Sequence, residues 1–346
     1  MVDSGMIKWE SPSNIAIVKY WGKYGRQMPR NTSVSFTLSE AKTITSFFWE
    51  PKENDNPSLD ISFLFEGQEK PGFAQKSIQF LNQVADDFTW LKHHKIKIDT
   101  TNTFPHSAGI ASSASGMSAL AACLVDAHLS ITGENTDEDA FLKKVSSYAR
   151  IGSGSAARSL FKSAAIWGKN ERIPYASDEY AVGIENYLHP IFLDFHDDII
   201  IVSNKEKSVS SSAGHGLMEG NPYAPARYAQ AQNHSFDLMD YLENGDLKRF
   251  GEILELEAMT LHALMMASTP SFILMAPESL HLIAKIRSFR NDTGLPVYFT
   301  LDAGPNIHLL YPDDCKTEVD LFLKDTLSAD VKVIKDRVGQ GAQKLL

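Results

Sequence analysis

The side chains best suited to chemistry in this 346-residue chain are an arginine among small hydroxyl residues, a carboxylate that ends an apolar run, and two lysines beside aromatic rings. The arginine, Arg158, closes the string GSGSAAR at residues 152–158. Its guanidinium is a planar fork of donors that fits the paired oxygens of a phosphate or carboxylate, and Ser153 and Ser155 add weaker donors beside it. A turn between helices with a surface arginine would use the same residues. The carboxylate, Asp302, lies in TLDAGPN at residues 300–306. Fixed by a Gly-Pro turn, it can serve as a base or hold a lysine, and it can also simply cap its own loop. Lys19 and Lys23 belong to NIAIVKYWGK at residues 14–23. They suit an anionic substrate, or an edge strand with solvated lysines and core aromatics.

A fourth segment, PHSAGIASSASG at residues 105–116, lies between an expected strand and an expected helix. Gly109 and Gly116 permit close backbone approach. Ser112 and Ser113 can cap the helix and leave N–H groups and the positive dipole end facing an anion. Close helix packing would explain the small residues as well. The GxxxxGK[ST] lysine of a Walker loop is missing.

The elements that must position these segments follow from periodicity. Alternating apolar residues at 43–49, 59–65 and 94–101 predict strands arranged as a meander. Helical spacing predicts helices at 71–85, 112–130 and 137–150, and apolar runs at 163–167 and 199–202 read as buried strands. After a Ser/Gly/Pro-dense stretch at 206–225, helices are expected at 228–242, 247–267 and 277–291. Strands at 296–301 and 307–311, a helix at 316–323 and a strand at 331–334 complete the chain. Strands and helices in blocks predict an α+β architecture, with domains at 1–205 and 206–346.

Composition excludes other classes. With 33 Lys+Arg against 43 Asp+Glu, the net charge is −10, and no basic block appears, so nucleic acid is an unsuitable partner. Two cysteines, Cys123 and Cys315, give neither a disulfide scaffold nor a cysteine-ligated zinc site and fit a reducing cytoplasm. No basic leader and no membrane-length apolar run is read, which predicts a soluble protein without a membrane partner. His93, His94 and His262 lack partners at metal-ligand spacing and read as ordinary surface or packed residues.

In this order, the four segments resemble the GHMP kinase superfamily, and within it the diphosphomevalonate decarboxylases. Residues 14–23 are similar to the NIAxxKYWGK signature, 105–116 to the phosphate loop, 152–158 to GSGSAxRS, and 302–306 to DAGPN. The resemblance implies a two-lobed fold, with an N-terminal mixed α/β lobe, a C-terminal ferredoxin-like lobe and an active site in the cleft between them. It implies ATP- and Mg²⁺-dependent decarboxylation of mevalonate 5-diphosphate to isopentenyl diphosphate, releasing ADP, phosphate and carbon dioxide, in a cytoplasmic homodimer.

It also implies roles for residues. Asp302 would orient or deprotonate the tertiary hydroxyl of the substrate, and Arg158 would hold the substrate carboxylate with Ser153 and Ser155 beside it. Lys19 and Tyr20 would face the diphosphate end, Lys23 would give electrostatic support, and Ser211 would help hold the diphosphate. Pro105, Ser107, Ala108, Gly109, Ile110, Ala111, Ser112, Ser113, Ala114 and Ser115 would cradle the ATP phosphates, with the Ser112 hydroxyl near the metal. The chain departs from the family pattern in its short 24–31 stretch, in His106 where a small hydroxyl residue is usual, and in His215 where Met is common. These departures admit a decarboxylase of the monophosphate. A mevalonate-type kinase of the same superfamily and a catalytically silent nucleotide-binding homologue are the other readings.

Overall fold

The computed structural model describes residues 3–54, 56–104, 112–203 and 211–346. The chain opens with β1 (Gly5–Val18), a short ribbon of β2 (Lys23–Tyr24) and β3 (Met28–Pro29), and β4 (Ser33–Pro51). β5 (Asp60–Phe65), α1 (Pro71–Val84) and β6 (His94–Asn102) follow, then α2 (Ser112–Thr132), α3 (Glu138–Gly152), β7 (Ala164–Trp167) and β8 (Ala181–Gly183). β9 (His196–Ile201) leads to α4 (Ser211–Gly216), α5 (Ala224–Asn244), α6 (Leu247–Met266) and α7 (Pro277–Thr293). The last elements are β10 (Tyr298–Thr300), β11 (Ile307–Tyr311), α8 (Lys316–Thr326), β12 (Lys332–Arg337) and β13 (Gln343–Lys344).

The fold is α+β and two-lobed, built on two sheets. The first runs β13-β1-β4-β6-β5, with β7 on the N-terminal part of β4 and β8 on β7. Its order corrects the expected meander of β4, β5 and β6, because β5 pairs in parallel with β6 at the sheet edge. Parallel neighbours need a crossover, and α1 supplies it, with Phe80, Leu81 and Val84 at helical spacing in the core. β6 alternates buried Ile96, Ile98 and Thr100 with outward Lys97, as a strand with one solvated face requires. α1, α2 and α3 cover the other face, where Phe47, Ile98, Leu120, Leu124 and Val145 share one cluster. α2 is long and apolar enough to cross a membrane by length and composition, but it is mostly buried in this core.

The second sheet runs β10-β11-β9-β12, antiparallel throughout. The sheets do not part at residue 205: β9 lies inside the second sheet, and β13, from the far end of the chain, pairs with β1 through Trp9↔Lys344. Period two explains how the lobes join. Val34, Phe36 and Leu38 point from β4 into a core shared with Ile199, Leu238, Phe250 and Leu254. Ser33, Ser35 and Thr37 point to the opposite side, where Ser33 and Ser35 meet Arg158.

Candidate active site

β1 ends at Val18, so the chain leaves the sheet at Lys19, whose side chain is 1% exposed. An ammonium this deep needs an anion. Asp302, in the turn after β10, provides one at 3.1 Å from Nζ. Burial pushes the Lys19 pKa down, and the Asp302 charge and hydrogen bond oppose that fall. His262 on α6 donates from Nε2 to the Asp302 carbonyl at 3.1 Å, which ties the aspartate loop to the helix. Burial holds His262 neutral, with its pKa down at about 4. The sequence marks His262 only as a packed or surface residue.

The Lys19 backbone is held equally firmly. Its N–H donates to Glu257 Oε2 at 2.8 Å, and its carbonyl accepts from Asn31 Nδ2 at 3.0 Å. Glu257 is fully buried on α6 and meets Arg227 at 2.5 Å and His234 Nδ1 at 2.6 Å. Burial raises its pKa, but Arg227, His234 and the hydrogen bonds outweigh this and bring it down to about 2. None of the sequence motifs singles out this network, although it leaves a signal. Glu257 stands seven residues after Phe250 and four before Leu261, on the apolar stripe of α6.

Arg158 sits at the end of the 3₁₀ turn Gly154–Arg158 and is 1% exposed. Its Nε donates to Ser35 Oγ at 3.0 Å, Nη1 to Ser33 Oγ at 2.6 Å and Nη2 to Asn14 Oδ1 at 3.3 Å. All three acceptors are neutral, and no carboxylate pairs with Arg158 among the described residues. Burial pulls its pKa down to about 10, with Asp302 opposing. Asn14, from the signature string, also donates to the Ser155 carbonyl at 3.0 Å and to Ser159 Oγ at 2.8 Å, so one amide sets both the arginine and its turn.

Tyr20 packs at a tilt against Trp167, with ring centroids 4.7 Å apart, and against His215, at 4.4 Å. Its buried hydroxyl has no partner among the described residues. Gly154 must be glycine here, because a Cβ would come 2.5 Å from the Tyr20 ring. Lys23 Nζ meets Gln27 Oε1 at 2.8 Å. Ser153 Oγ lies 3.5 Å from Ser113 Oγ, which brings the GSGS segment against the first turn of α2. Ser112 opens that helix. Ala114 and Ser115 are buried, and Ser115 Oγ bonds Thr43 Oγ1 at 2.7 Å, so any contact they make with phosphate runs through the backbone. Ser211 stands at the start of α4. Pro105, His106, Ser107, Ala108, Gly109, Ile110 and Ala111 lie outside the described residues.

His215 is the neighbour that the signature does not anticipate in detail. Gly22, at φ +96°, donates its N–H to His215 Nδ1 at 3.0 Å, so Nε2 carries the ring proton. Burial, then the Lys23 charge, push the pKa down to about 3. Between pH 6.5 and about 3 the unfolded chain binds a proton at this histidine that the folded chain refuses. Stability therefore rises with pH across that window and falls on acidification, by up to about 1.4 kcal/mol for each pH unit crossed. His215→Met should flatten the stability-pH curve there, as read by urea unfolding at about pH 7, 5 and 4. An unchanged slope would show that His215 titrates normally.

Three links tie the motifs together: Lys19 pairs with Asp302, the Asp302 charge acts on Arg158, and Ser153 meets Ser113 in the first turn of α2. Residues 11–181 match the family model of the diphosphomevalonate decarboxylase-like N-terminal domain, and residues 198–343 match the mevalonate 5-diphosphate decarboxylase C-terminal domain. The diphosphomevalonate decarboxylase of Ganoderma lucidum is 30% identical over 342 residues, covering 91% of this chain and 80% of that protein. A phosphomevalonate decarboxylase of Haloferax volcanii is 26% identical, covering 85% and 84%. The solved complex of MDDEF with MVAPP, AMPPCP and magnesium superposes with a TM-score of 0.84 at 29% identity, covering 99% of each chain.

Proposed function

Because this chain belongs to the diphosphomevalonate decarboxylase family, we propose that the cleft between its lobes carries the family reaction on Asp302, Arg158 and Lys19. The chain is an ATP-dependent carboxy-lyase that uses Mg²⁺ and converts mevalonate 5-diphosphate to isopentenyl diphosphate, ADP, phosphate and carbon dioxide. The observation that carries the assignment of residues is Arg158, a buried cation whose partners are all neutral. Such a group is completed by an anionic ligand.

ATP, when bound with magnesium, supplies the phosphoryl group that makes the tertiary hydroxyl a leaving group. The residues suit it. α2 has no acidic residue in its first turn, so its positive end is uncancelled, and Ser112 offers a hydroxyl for the ion. Among the described residues there is no group of three or more metal-ligating side chains, which fits an ion held largely by phosphate oxygens. Asp302 orients the hydroxyl and takes its proton, and Lys19 keeps that carboxylate ionised. Arg158, with Ser153 and Ser155, fixes the substrate carboxylate while positive character grows at the neighbouring carbon. Tyr20 and Lys23 take the phosphorylated end in this reading, with Ser211 assigned to the same task.

Purified protein with Mg·ATP should release ADP and carbon dioxide in equal amounts on mevalonate 5-diphosphate, and far less on mevalonate or its 5-phosphate. ADP without carbon dioxide would make this chain a kinase. Preference for the 5-phosphate would tie the substitution at His215, between Tyr20 and Trp21, to a shorter substrate. A cytoplasmic homodimer belongs to the same reading; the two buried free thiols, Cys123 and Cys315, suit a reducing compartment. Light scattering tests the dimer.

A further inference from the structure

The buried ion pair of Glu257 and Arg227 has no role in the reaction so far, yet it grips Lys19 at both backbone groups. β1 stops at Val18, so the Lys19 peptide groups lie beyond its ladder, and buried N–H and C=O groups must be satisfied elsewhere. Helices α5 and α6 supply the partners. Glu257 Oε2 on α6 accepts the Lys19 N–H at 2.8 Å, and Arg227 Nη2 on α5 donates to the Lys19 carbonyl at 3.3 Å, beside Asn31 Nδ2 at 3.0 Å. The two side chains also meet each other as a fork, Nη1 to Oε1 at 2.7 Å and Nη2 to Oε2 at 2.5 Å, with His234 Nδ1 on Oε1 at 2.6 Å. Paired charged bonds fix direction as well as distance. The carboxylate is therefore not free to turn away from the Lys19 amide.

Five residues further along α6, a rise of about 7.5 Å, His262 Nε2 donates to the Asp302 carbonyl at 3.1 Å. One helix thus holds the backbone of both residues whose side chains meet at 3.1 Å as the Lys19–Asp302 pair. An ion pair that only joined α5 to α6 could be replaced by apolar side chains of similar volume without loss of stability. Apolar side chains could not take the Lys19 N–H. We propose that Glu257, locked by Arg227, is a positioning residue that sets the Lys19 ammonium against Asp302. This rests on the roles given to Lys19 and Asp302 above. A displacement of about 1 Å in a group of the site is enough to slow turnover about 10²-fold, so a clamp on the Lys19 backbone bears directly on rate. The Glu257 charge acts in the same direction, adding to that of Asp302 in opposing what burial does to the Lys19 ammonium.

Two variants separate reach from charge. Glu257→Asp keeps the ion pair but draws the carboxylate back by one methylene, and kcat should fall about 10²-fold with KM for Mg·ATP changed less than about twofold. Arg227→Met/Glu257→Gln removes both charges together, so neither is stranded, and leaves an amide oxygen for the Lys19 N–H. Its kcat should stay within about tenfold of the parent. Turnover is expressed per nucleotide site, counted by calorimetric titration with a non-hydrolysable ATP analogue, so incompletely folded protein does not enter the rate. A pair that serves packing or charge alone gives the opposite order, with the aspartate variant the faster. That order, or a Glu257→Asp kcat within about threefold of the parent, overturns the proposal, and the aspartate variant decides alone if the double variant does not fold. A parent that releases carbon dioxide beside an unimpaired Glu257→Asp variant removes this clamp alone, whereas a parent that releases none from any mevalonate derivative removes the function and the clamp together.

Discussion

Asp302→Asn should lower kcat by about 10³- to 10⁴-fold and leave the affinity for Mg·ATP within about threefold. The amide has the same shape, and His262 still holds the backbone of the loop through the carbonyl of residue 302. Two electrostatic changes follow from the one substitution. The base is lost, and Lys19 loses the largest of the charges that oppose its burial, Glu257 and Asp197 remaining. Its pKa is already depressed, so the amide variant should carry a Lys19 that deprotonates more readily. On the proposed assignment the nucleotide meets the N-terminus of α2 at Ser112 and not this carboxylate, so binding should survive. Calorimetric titration with a non-hydrolysable ATP analogue measures affinity, and carbon dioxide release measures turnover. A kcat within tenfold of the parent would take Asp302 out of proton transfer.

What is legible in the sequence follows from how local each cause is. α1 declares itself because Phe80, Leu81 and Val84 recur at helical spacing, and β6 because Ile96, Lys97 and Ile98 alternate. The parallel seating of β5 depends on a crossover, which periodicity does not encode. The return of β13 to β1 rests on two exposed residues, Gln343 and Lys344, with no apolar pattern to signal a strand. β9 reads as buried, yet the sheet it joins is decided by β11 and β12, more than a hundred residues later.

The site divides in the same way. Lys19, Arg158 and Asp302 are visible because charged residues sit inside small-residue or apolar strings. Their partners are not, since Glu257 Oε2 meets the Lys19 N–H across 238 residues and Asn14 meets Arg158 across 144. The reading of lysines on a solvated edge fails for Lys19 for a physical reason: β1 runs between β4 and β13, and the chain leaves it inward toward α6. Glu257 is the one distant partner with a local trace, an acid on an apolar helical stripe.

Arg158→Met separates stability from function, because the two should move in opposite directions. Burial brings the arginine pKa down to about 10, so keeping it charged at neutral pH costs the folded chain on the order of 3 kcal/mol. Three hydrogen bonds to Ser33, Ser35 and Asn14 and the more distant Asp302 charge offset part of this cost, but no carboxylate among the described residues pairs with Arg158 directly. Replacing a buried charge with an apolar side chain of similar volume is often neutral or stabilising. The unliganded methionine variant should therefore melt at or above the temperature of the parent. Its turnover should nevertheless drop by about 10³-fold, the effect of leaving a buried anion without its partner. The loss should appear with mevalonate 5-diphosphate and leave ATP affinity alone. Arg158→Lys should recover little, since one ammonium cannot reproduce a two-pronged contact or reach three fixed acceptors. A structural arginine would give the reverse result, with a lower melting temperature and turnover that falls only as the fold loosens. A methionine variant that is less stable yet active would move the carboxylate-holding role to another cation in the cleft, with Lys23 the first to test.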